Sequence, residues 1–476
     1  MFFPGRLLLT VAIFATFATA CSDTGDEGAN WGGTDNIPVI TGRNPAHRPP
    51  VDTTDSGGDT FTQAVDSTFN SDSATLSGNN QDTETDSQMD STESTAASTG
   101  TDSTDGTSTE ASSDATPGSD SSPMSPATWT VMVYMAADSD LEPDMMIDLD
   151  ELRAIVAPDW LHILILFDRH PYLDRSDGDW TGTRLYKVNP RMAEGLERLA
   201  DPEYLELTNA GDIDELDMAD GATLEHFIQY SQQSWPADHY ALVLSGHGNG
   251  WMKKGAGQTS QLPKVICSDF SDNRDGMSVE NVLAPLLKSY QIDVLGFDAC
   301  LMGMIEVAWA VKDNVKYVIA SEANETSDGW DFDKWFTSWI ASGDYSLTSF
   351  LRRQVLSYRN YYSELSPPWQ VTISVVDTGR LPALGDAINA LVAQYTVSDF
   401  ISQAMSMDDD YTEYYDLWNI ADLVGDSNLK SAIEAAVIFN WYSDGVDTPG
   451  GLSIMFLEQF PDDYRQISFC LDLDWC

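Results

Sequence analysis

The chain has 476 residues, a formal net charge of −52 and a pI of about 4.1. This balance argues against nucleic-acid binding, because phosphate recognition needs clustered Lys and Arg. The acidity fits either solubility of a secreted protein or attraction of basic substrates, and charge alone does not separate the two. Five cysteines are too few for a disulfide scaffold, so a hydrophobic core must hold the fold.

The N-terminus, residues 1–20, has the pattern of a secretion signal. Arg6 precedes an apolar run, Leu7–Phe17, and small residues follow before a cleavage point. The run is shorter than the roughly 20 apolar residues that span a bilayer. Residues 18–21 (ATAC) resemble a bacterial lipobox, with Ala18 in place of the usual Leu. We therefore expect lipidation of Cys21, with ordinary cleavage and a free cysteine as the alternative.

Residues 21–128 are mostly Ser, Thr, Asp and Gly, with few large apolar side chains. Such a segment cannot bury enough apolar surface to offset the entropy of ordering, so it predicts a disordered acidic tether. Its like charges extend it. The tether would hold a folded domain away from a membrane bound through the lipid anchor. The expected location is the bacterial outer membrane, the cell surface or the periplasm, and a tolerated low-complexity insertion is the alternative interpretation of the tether.

Residues 129–476 form the predicted domain. Short, nearly continuous apolar runs indicate strands that are buried on both faces of a mostly parallel sheet. The runs are 129–136, 161–167, 240–244, 292–297, 315–320, 371–376 and 452–457. Helical patterns separate them, at 222–233, 279–289 and 302–311. Strands alternating with helices predict an α/β sandwich, followed by a C-terminal extension of helices and strands.

Two loops follow the third and fourth predicted strands, with His247 in the first and Cys300 in the second. Sites in open α/β sheets form beyond the carboxyl ends of the strands, so adjacent strands would bring these residues together. An imidazole activates a thiol, and Cys300 is expected at the start of a helix, where the dipole favours the thiolate. The amides of Gly248 and Cys300 would stabilise an oxyanion. A packed small hydrophobe is the alternative role for a lone cysteine.

These loops and their flanking segments resemble the clostripain family of cysteine peptidases, in the caspase-like clan. The matching segments are 129–142 (WTVMVYMAADSDLE), 245–251 (SGHGNGW), 297–304 (FDACLMGM), 321–322 (SE), 327–330 (SDGW) and 451–454 (GLSI). The resemblance implies a caspase-like α/β/α sandwich and an endopeptidase that works through a His247/Cys300 dyad. It also implies cleavage after Arg or Lys, with Asp298 and Asp328 binding the basic side chain of a protein or peptide substrate.

The resemblance further implies self-cleavage between His247 and Cys300. Basic residues in that interval suit the expected specificity: Lys253, Lys254, Lys264 and Arg274. The chemistry needs no cofactor and no metal ligands are assigned. Calcium is left open, because clostripain is associated with it but no EF-hand loop is present. HExxH and paired CxxC motifs are also missing from the sequence, which argues against metal-dependent hydrolysis.

The remaining cysteines are expected to form a Cys470–Cys476 disulfide, with a bond from either one to Cys267 as the alternative. We expect a monomeric enzyme. The competing function is a catalytically silent, caspase-like surface lipoprotein that acts in binding or adhesion. Retention of all the motif residues argues against this function, and a long ordered domain argues against a purely structural spacer.

Overall fold

The computed structural model describes residues 127–192, 194–199, 215–251, 266–271, 275–365, 369–407, 413–444, 446, 449–457 and 460–476. Several predictions concern residues outside these ranges. They are the signal peptide (1–20), the lipidation site Cys21, the tether up to residue 126, and the basic residues Lys253, Lys254, Lys264 and Arg274. The described residues belong to one compact unit.

The strands are β1 (Ala127–Ala137), β2 (Leu161–Arg169), β3 (Gly182–Val188), β4 (Leu196–Arg198), β5 (Ala237–Ser245), β6 (Ile266–Asp269), β7 (Asp275–Met277), β8 (Ile292–Asp298), β9 (Val315–Ala320), β10 (Thr372–Asp377), β11 (Tyr414–Asp416), β12 (Val437–Tyr442) and β13 (Ser453–Met455).

The helices are α1 (Glu142–Ala154), α2 (Gly221–Ser234), α3 (Ala284–Leu287), α4 (Ile305–Val311), α5 (Phe332–Ser342), α6 (Leu347–Ser363), α7 (Leu381–Gln394), α8 (Leu417–Val424), α9 (Ser427–Ala436) and α10 (Ser468–Asp472). A π-helical turn, Val279–Leu283, leads into α3, and 3-10 turns lie at Thr378–Arg380, Val397–Asp399, Ile401–Gln403 and Tyr464–Gln466.

Nine strands form the central sheet, in the order β12-β10-β9-β8-β5-β1-β2-β3-β4. The five middle strands, from β9 to β2, run parallel to one another. Antiparallel strands extend the sheet on both sides. The middle strands are the ones predicted from continuous apolar runs, which is the pattern of strands covered on both faces.

Side chains of β1 show how the sheet is covered on both sides. Trp129 stacks on Phe350 of α6, with ring centroids 4.5 Å apart. Tyr134 packs against Phe227 of α2 at 6.0 Å. Successive strand residues point to opposite faces, and positions 129 and 134 are an odd number of residues apart, so α6 and α2 lie on opposite faces. The predicted α/β/α sandwich is therefore confirmed.

The predicted strands differ from the structure mainly at the edges of the sheet. Six of the seven predicted runs form β1, β2, β5, β8, β9 and β10. The seventh, 452–457, forms the short strand β13, which pairs with β11 in a separate two-stranded sheet. The sequence analysis missed β3, β4 and β12 near the edges of the central sheet, because these strands mix polar and apolar side chains and are buried only in part. It also missed the short strands β6, β7 and β11 outside that sheet.

Two further features bear on the setting of the domain. Cys470 and Cys476 form a disulfide, as predicted, and Cys267 is a buried free thiol whose pKa is raised by burial. In the ranges described above, no helix combines the length and the apolar character needed to cross a membrane.

Candidate active site

The two motif loops lie side by side because their strands are neighbours. β5 pairs with β8 in parallel, with Ser245 opposite Asp298. Beyond the last pair, the Gly246 N–H donates to the Asp298 carbonyl at 3.2 Å, and the Ser245 hydroxyl donates to the Asp298 carboxylate at 3.0 Å. The register therefore delivers the histidine loop and the cysteine loop to one edge of the sheet, as the sequence predicted.

Close packing of Gly248 against the cysteine loop explains why a glycine follows His247. A Cβ atom at Gly248 would lie 2.5 Å from the Cys300 carbonyl oxygen and 2.8 Å from Cβ of Ala299. Any larger residue would push the two loops apart. The backbone of Gly248 thus lies against that of Cys300, which is the arrangement that an oxyanion site built from their amides requires.

His247 is held on two sides by residues to which the sequence analysis assigned no role. Its Nε2 lies 2.6 Å from Oδ1 of Asp140, in the turn between β1 and α1. Its ring lies parallel to that of Phe270, with centroids 6.2 Å apart. Asp140 lies within the motif at 129–142, so it was visible in the sequence, but Phe270 gave no such signal. These contacts fix the plane of the imidazole.

The cysteine loop differs from the sequence prediction in one respect. Cys300 was expected at the start of a helix, but α4 begins only at Ile305. The intervening turn has Leu301 at a φ of 62°, an unusual conformation for a residue other than glycine. The Leu301 N–H donates to the Ala323 carbonyl at 3.1 Å, which fastens this turn to the loop after β9. The helix dipole therefore does not act on Cys300 directly.

The backbone of Glu325, in the loop after β9, contacts Sγ of Cys300. The N–H of Glu325 donates to Sγ of Cys300 at 3.2 Å. The Glu325 carbonyl oxygen also lies 3.5 Å from Sγ, where it accepts from a thiol. The donor favours the thiolate and the acceptor favours the thiol, so these two contacts together do not replace the effect expected from the helix. The side chain of Cys300 is only 3% exposed, at the floor of a cleft.

That cleft contains both predicted catalytic residues. It encloses about 350 Å³, counting the solvent at its mouth, and its lining includes His247 and Cys300. Three carboxylates also line it: Asp148 from α1, Asp298 from β8 and Glu325 from the loop after β9. All three residues are buried. We refer to Asp148, Asp298 and Glu325 as the cleft carboxylates.

Glu325 was missed by the sequence analysis although it lies between two motif segments. Burial raises the pKa of its carboxyl well above the usual range, and the nearby charge of Asp298 raises it further. Trp330 and Tyr358 face the carboxyl and act in the opposite direction. A buried carboxyl beside a second one keeps a proton until a positive charge enters.

Asp328, the second predicted substrate-binding residue, lies beside the cleft without lining it. Its neighbours Ser327 and Gly329 do line the cleft. The Asp328 carboxylate accepts a hydrogen bond from the Tyr361 hydroxyl at 2.8 Å. Gly329 comes so close to Asp298 that a Cβ there would meet the Asp298 carboxylate at 2.9 Å, which brings this loop and the floor of the cleft into contact.

The structure also gathers four carboxylates that the sequence analysis did not connect. They come from Asp138, Asp168, Glu215 and Asp269, and one oxygen from each lies within 4.8 Å of the others. We call these residues the four-carboxylate group. Asp138 is in a motif segment, but the other three are far apart in the sequence and form no recognisable pattern.

The fold and the paired loops define a caspase-like α/β/α protein. The model of the clostripain family matches residues 133–446 of the chain. The chain therefore belongs to the clostripain family of peptidases. It is 29% identical over 230 residues to clostripain from Hathewaya histolytica, a match that covers 45% of this chain and 42% of that protein.

Solved structures support the same fold. A secreted C11 cysteine protease from Bacteroides thetaiotaomicron, bound to an irreversible peptide inhibitor, matches with a TM-score of 0.58 and 20% identity. This match covers 74% of our chain and 100% of that one. An inactive zymogen C11 protease from Parabacteroides distasonis matches with a TM-score of 0.58 and 22% identity, over 73% of our chain and 99% of that one.

Proposed function

We propose that the protein is a cysteine endopeptidase that cleaves peptide bonds after Arg or Lys and acts as a monomer. The observation that carries this proposal is the cleft itself, where His247 and Cys300 share one lining with three buried carboxylates. A nucleophile and its base account for cleavage of the peptide bond, and the carboxylates account for binding of an Arg or Lys side chain of the substrate.

The reaction follows from the roles of two side chains. The imidazole of His247 takes the proton from the thiol of Cys300, and the thiolate attacks the carbonyl carbon of the substrate. The amides of Gly248 and Cys300 donate to the oxyanion of the tetrahedral intermediate. His247 then protonates the leaving amine, and water hydrolyses the thioester to regenerate the thiol. None of these steps needs a cofactor.

Specificity comes from the cleft carboxylates, with Asp298 as the principal contact and Asp328 at the rim. A buried carboxylate without a counter-charge is costly, and a guanidinium or ammonium group offsets that cost on binding. Arg offers two parallel hydrogen bonds and Lys a point charge, so both side chains suit the site.

The test is hydrolysis of two matched peptides, with Arg or with citrulline before the cleaved bond. Citrulline has nearly the shape of Arg without its charge. The Cys300→Ala and His247→Ala variants should each lose activity on the Arg peptide by at least about 10³-fold. An Arg-directed reactive peptide should label the wild type on Cys300. A folded wild type that neither cleaves nor labels would instead favour the catalytically silent surface lipoprotein.

We also propose that the domain works outside the cytoplasm, tethered to the outer membrane, the cell surface or the periplasmic membrane through lipidated Cys21. The Cys470–Cys476 disulfide supports an oxidising compartment. Metabolic labelling with a fatty-acid analogue should mark the wild type and leave the Cys21→Ala variant unmarked. Equal labelling of both chains would contradict lipidation of this cysteine.

Self-processing between His247 and Cys300 is the third part of the proposal. The expected result is two fragments on a denaturing gel for the wild type and one intact chain for Cys300→Ala. Mass spectrometry of the fragment ends should place the cut after Lys253, Lys254, Lys264 or Arg274. A cut that persists in purified Cys300→Ala would contradict self-processing.

A further inference from the structure

The turn that carries Cys300 rests on the segment that follows β9. We call residues 300–303 the cysteine turn. Two backbone hydrogen bonds join it to that segment, from the Leu301 N–H to the Ala323 carbonyl at 3.1 Å and from the Gly303 N–H to the Ser321 carbonyl at 2.6 Å. Glu322 lies between these two acceptors. Whatever holds Glu322 in place therefore also holds the cysteine turn.

The side chain of Glu322 is fully buried, and its two oxygens have different surroundings. Oε2 accepts a hydrogen bond from the Gly451 N–H at 2.7 Å. Oε1 is buried and has no donor among the residues that the structure describes. A buried carboxylate oxygen without a donor is costly when it is ionised. The position of Oε1 therefore suits a protonated oxygen, which needs an acceptor and no donor.

The acceptor is the carboxylate of Asp416, the last residue of β11. Asp416 is fully buried and lies within hydrogen-bonding reach of the Glu322 carboxyl. Consecutive backbone amides hold the two side chains next to each other, because the Gly450 N–H donates to Oδ2 of Asp416 at 2.6 Å and the Gly451 N–H donates to Glu322. A Cβ at Gly450 would lie only 2.2 Å from Cβ of Trp418, so this close approach requires glycine.

The surrounding donors decide which of the two carboxyls carries the proton. Asp416 is the N-cap of α8, and its Oδ1 accepts from the Asn419 N–H at 2.5 Å. Both oxygens of Asp416 thus accept a backbone N–H, whereas only one oxygen of Glu322 does. Backbone donors and a helix N-terminus favour an ionised carboxylate. The proton therefore belongs on Glu322, whose carboxyl O–H donates to the Asp416 carboxylate.

The described part of the chain supplies no cation to this pair. Neither Glu322 nor Asp416 forms an ion pair with any Lys, Arg or His of the described ranges. Lys430 of α9 lies over the ring of Trp418 at 4.2 Å, but it pairs with Asp422. Burial raises the pKa of both carboxyls, and the charge of Asp416 raises the pKa of Glu322 further. A proton, and not a basic side chain, therefore separates the two negative charges.

We propose that Glu322 and Asp416 share one proton, and that Glu322 is thereby a positioning residue for Cys300. A hydrogen bond from a carboxyl to a carboxylate is charge-assisted and stronger than a neutral one. Loss of the proton would leave two buried negative charges side by side, and their repulsion would displace the segment on which the cysteine turn rests. The effect on catalysis rests on the proposed peptidase function, whereas the shared proton does not.

The first test concerns the proton and needs no peptidase activity. The full chain with Cys300→Ala, alone or with Glu322→Gln, is unfolded in urea at several pH values. The pKa of Glu322 is raised in the folded state, so its contribution to stability is complete below about pH 4.5 and is lost as the pH rises towards the folded pKa. Glutamine keeps the acceptor for Gly451, and its amide N–H replaces the shared proton. The unfolding constant of the parent relative to the variant should therefore rise with pH, by up to about tenfold per unit.

The matched control makes the same substitution at a different glutamate. Glu280 accepts hydrogen bonds from both the N–H and the hydroxyl of Ser468, at 2.9 and 3.1 Å. Glu280→Gln on the Cys300→Ala background should keep the pH dependence of the parent. The same pH dependence in the parent and in Glu322→Gln would overturn the shared proton.

The second test concerns the position of Cys300 and uses the active enzyme. Glu322→Ala removes both the shared proton and the acceptor for Gly451. It should lower kcat on the Arg peptide by about 10- to 100-fold, with KM changed less than about twofold, because a displaced nucleophile reacts slowly in an intact cleft. Glu322→Gln should restore most of the kcat. Active sites are counted with the Arg-directed reactive peptide, so that a loss of folded enzyme is not mistaken for a loss of kcat. Equal losses in both variants would overturn the positioning role.

Hydrogen exchange measures the same positioning without catalysis. On the Cys300→Ala background, Glu322→Ala should speed exchange at residues 301–303, whose amides donate to the segment around Glu322. Glu322→Gln should exchange there like the parent. If Glu322→Ala does not fold, Glu322→Asp takes its place, because the shorter side chain withdraws the carboxyl from Asp416. Unchanged exchange in the shortened variant would overturn the positioning role. Because this readout and the urea series need no cleavage, a failure of the proposal is distinguishable from a failure of the proposed peptidase function.

Discussion

Two groups of carboxylates belong to segments near His247, and they differ in what surrounds them. The cleft carboxylates line an open cavity next to Cys300 and are contacted by hydroxyl, indole and phenol groups. The four-carboxylate group does not line this cleft, and its members lie in or beside β1, β2, β6 and the segment before α2. A group that lines an open cleft can meet the charged side chain of a substrate, whereas carboxylates outside the cleft are beyond its reach.

A buried carboxylate outside both groups forms an ion pair with an arginine. Glu142, at the start of α1, accepts a hydrogen bond from Nε of Arg169 at 2.6 Å, and both side chains are fully buried. Arg169 also donates to the carbonyls of Asp174 and Ser176. This pair is therefore a reference for the cost of breaking a buried ion pair in this fold.

The largest effect is expected from breaking this internal pair. Arg169→Met leaves Glu142 buried without its cation, which should lower the free energy of unfolding by about 3–5 kcal/mol. Denaturation in urea measures the change. Arg169 lies 4.9 Å from the centre of the Trp180 ring, and Arg184 lies 3.9 Å from it. Arg184→Met is the matched control, because Arg184 forms no ion pair with a buried carboxylate among the described residues. The control should cost about 1 kcal/mol or less. Equal losses would contradict the ion-pair explanation.

The next effect concerns the open cleft. Asp298→Asn should reduce kcat/KM on the Arg peptide by about 10²-fold, which corresponds to about 3 kcal/mol for a lost buried charge pair. The citrulline peptide should be cleaved at nearly the wild-type rate. Asp328→Asn should reduce activity on the Arg peptide less, because Asp328 does not line the cleft. A similar loss of kcat/KM on both peptides in Asp298→Asn would show that Asp298 maintains the shape of the site and does not bind the positive charge of the substrate.

The raised pKa of Glu325 predicts a pH dependence of binding. In the free cleft, burial raises the pKa of the Glu325 carboxyl well above its usual range, and the charge of Asp298 raises it further. The carboxyl therefore stays protonated at pH values where an exposed glutamate is ionised. A guanidinium ligand favours the ionised form, so binding releases a proton. Affinity should therefore rise with pH, by up to about tenfold per unit, and level off above the pKa of Glu325.

Calorimetry with N-acetylarginine amide and the Cys300→Ala chain measures this dependence without catalysis. Glu325→Gln on the same background should remove the slope, and the citrulline analogue should show none. A slope that survives in Glu325→Gln would assign the proton to another carboxyl that lines the cleft, such as Asp148 or Asp298.

The smallest effect is expected at Asp140, which orients His247 from an exposed position, 64% accessible. Exposed charge pairs contribute about 0.2–1 kcal/mol, so Asp140→Asn should lower kcat by about two- to fivefold with little change in KM. Asp140→Glu should restore part of the loss. A rise in KM with an unchanged kcat would instead indicate that Asp140 contacts the substrate.

The sequence predicted the middle of the fold and the proximity of the loops that carry His247 and Cys300, because both leave local signals. The strands β1, β2, β5, β8 and β9 are continuous apolar runs, and the glycine-rich loop around His247 is unusual at a strand end. Glu325 and Asp148 gave no such signal. They belong to the site only because the loop after β9 and helix α1 fold over it, and such tertiary proximity cannot be deduced from spacing.

Two other differences between the sequence predictions and the structure also come from contacts between segments that are distant in the sequence. The helix expected at Cys300 begins at Ile305, because the turn after β8 is pinned to the loop after β9, with the Gly303 N–H donating to the Ser321 carbonyl at 2.6 Å. The four-carboxylate group combines positions from 138 to 269 that no motif connects. Local patterns therefore predict strands and loops, while contacts between distant segments decide the details of the site.

The pairing of β5 with β8 has a consequence for any protein cut between His247 and Cys300. Each strand would then belong to a different fragment, yet the two would remain adjacent in the same sheet, with β1 and β2 in one fragment and β9 and β10 in the other. Separation would expose the middle of a sheet that is buried on both faces. A nicked protein should therefore behave as an inseparable two-chain particle until it is denatured.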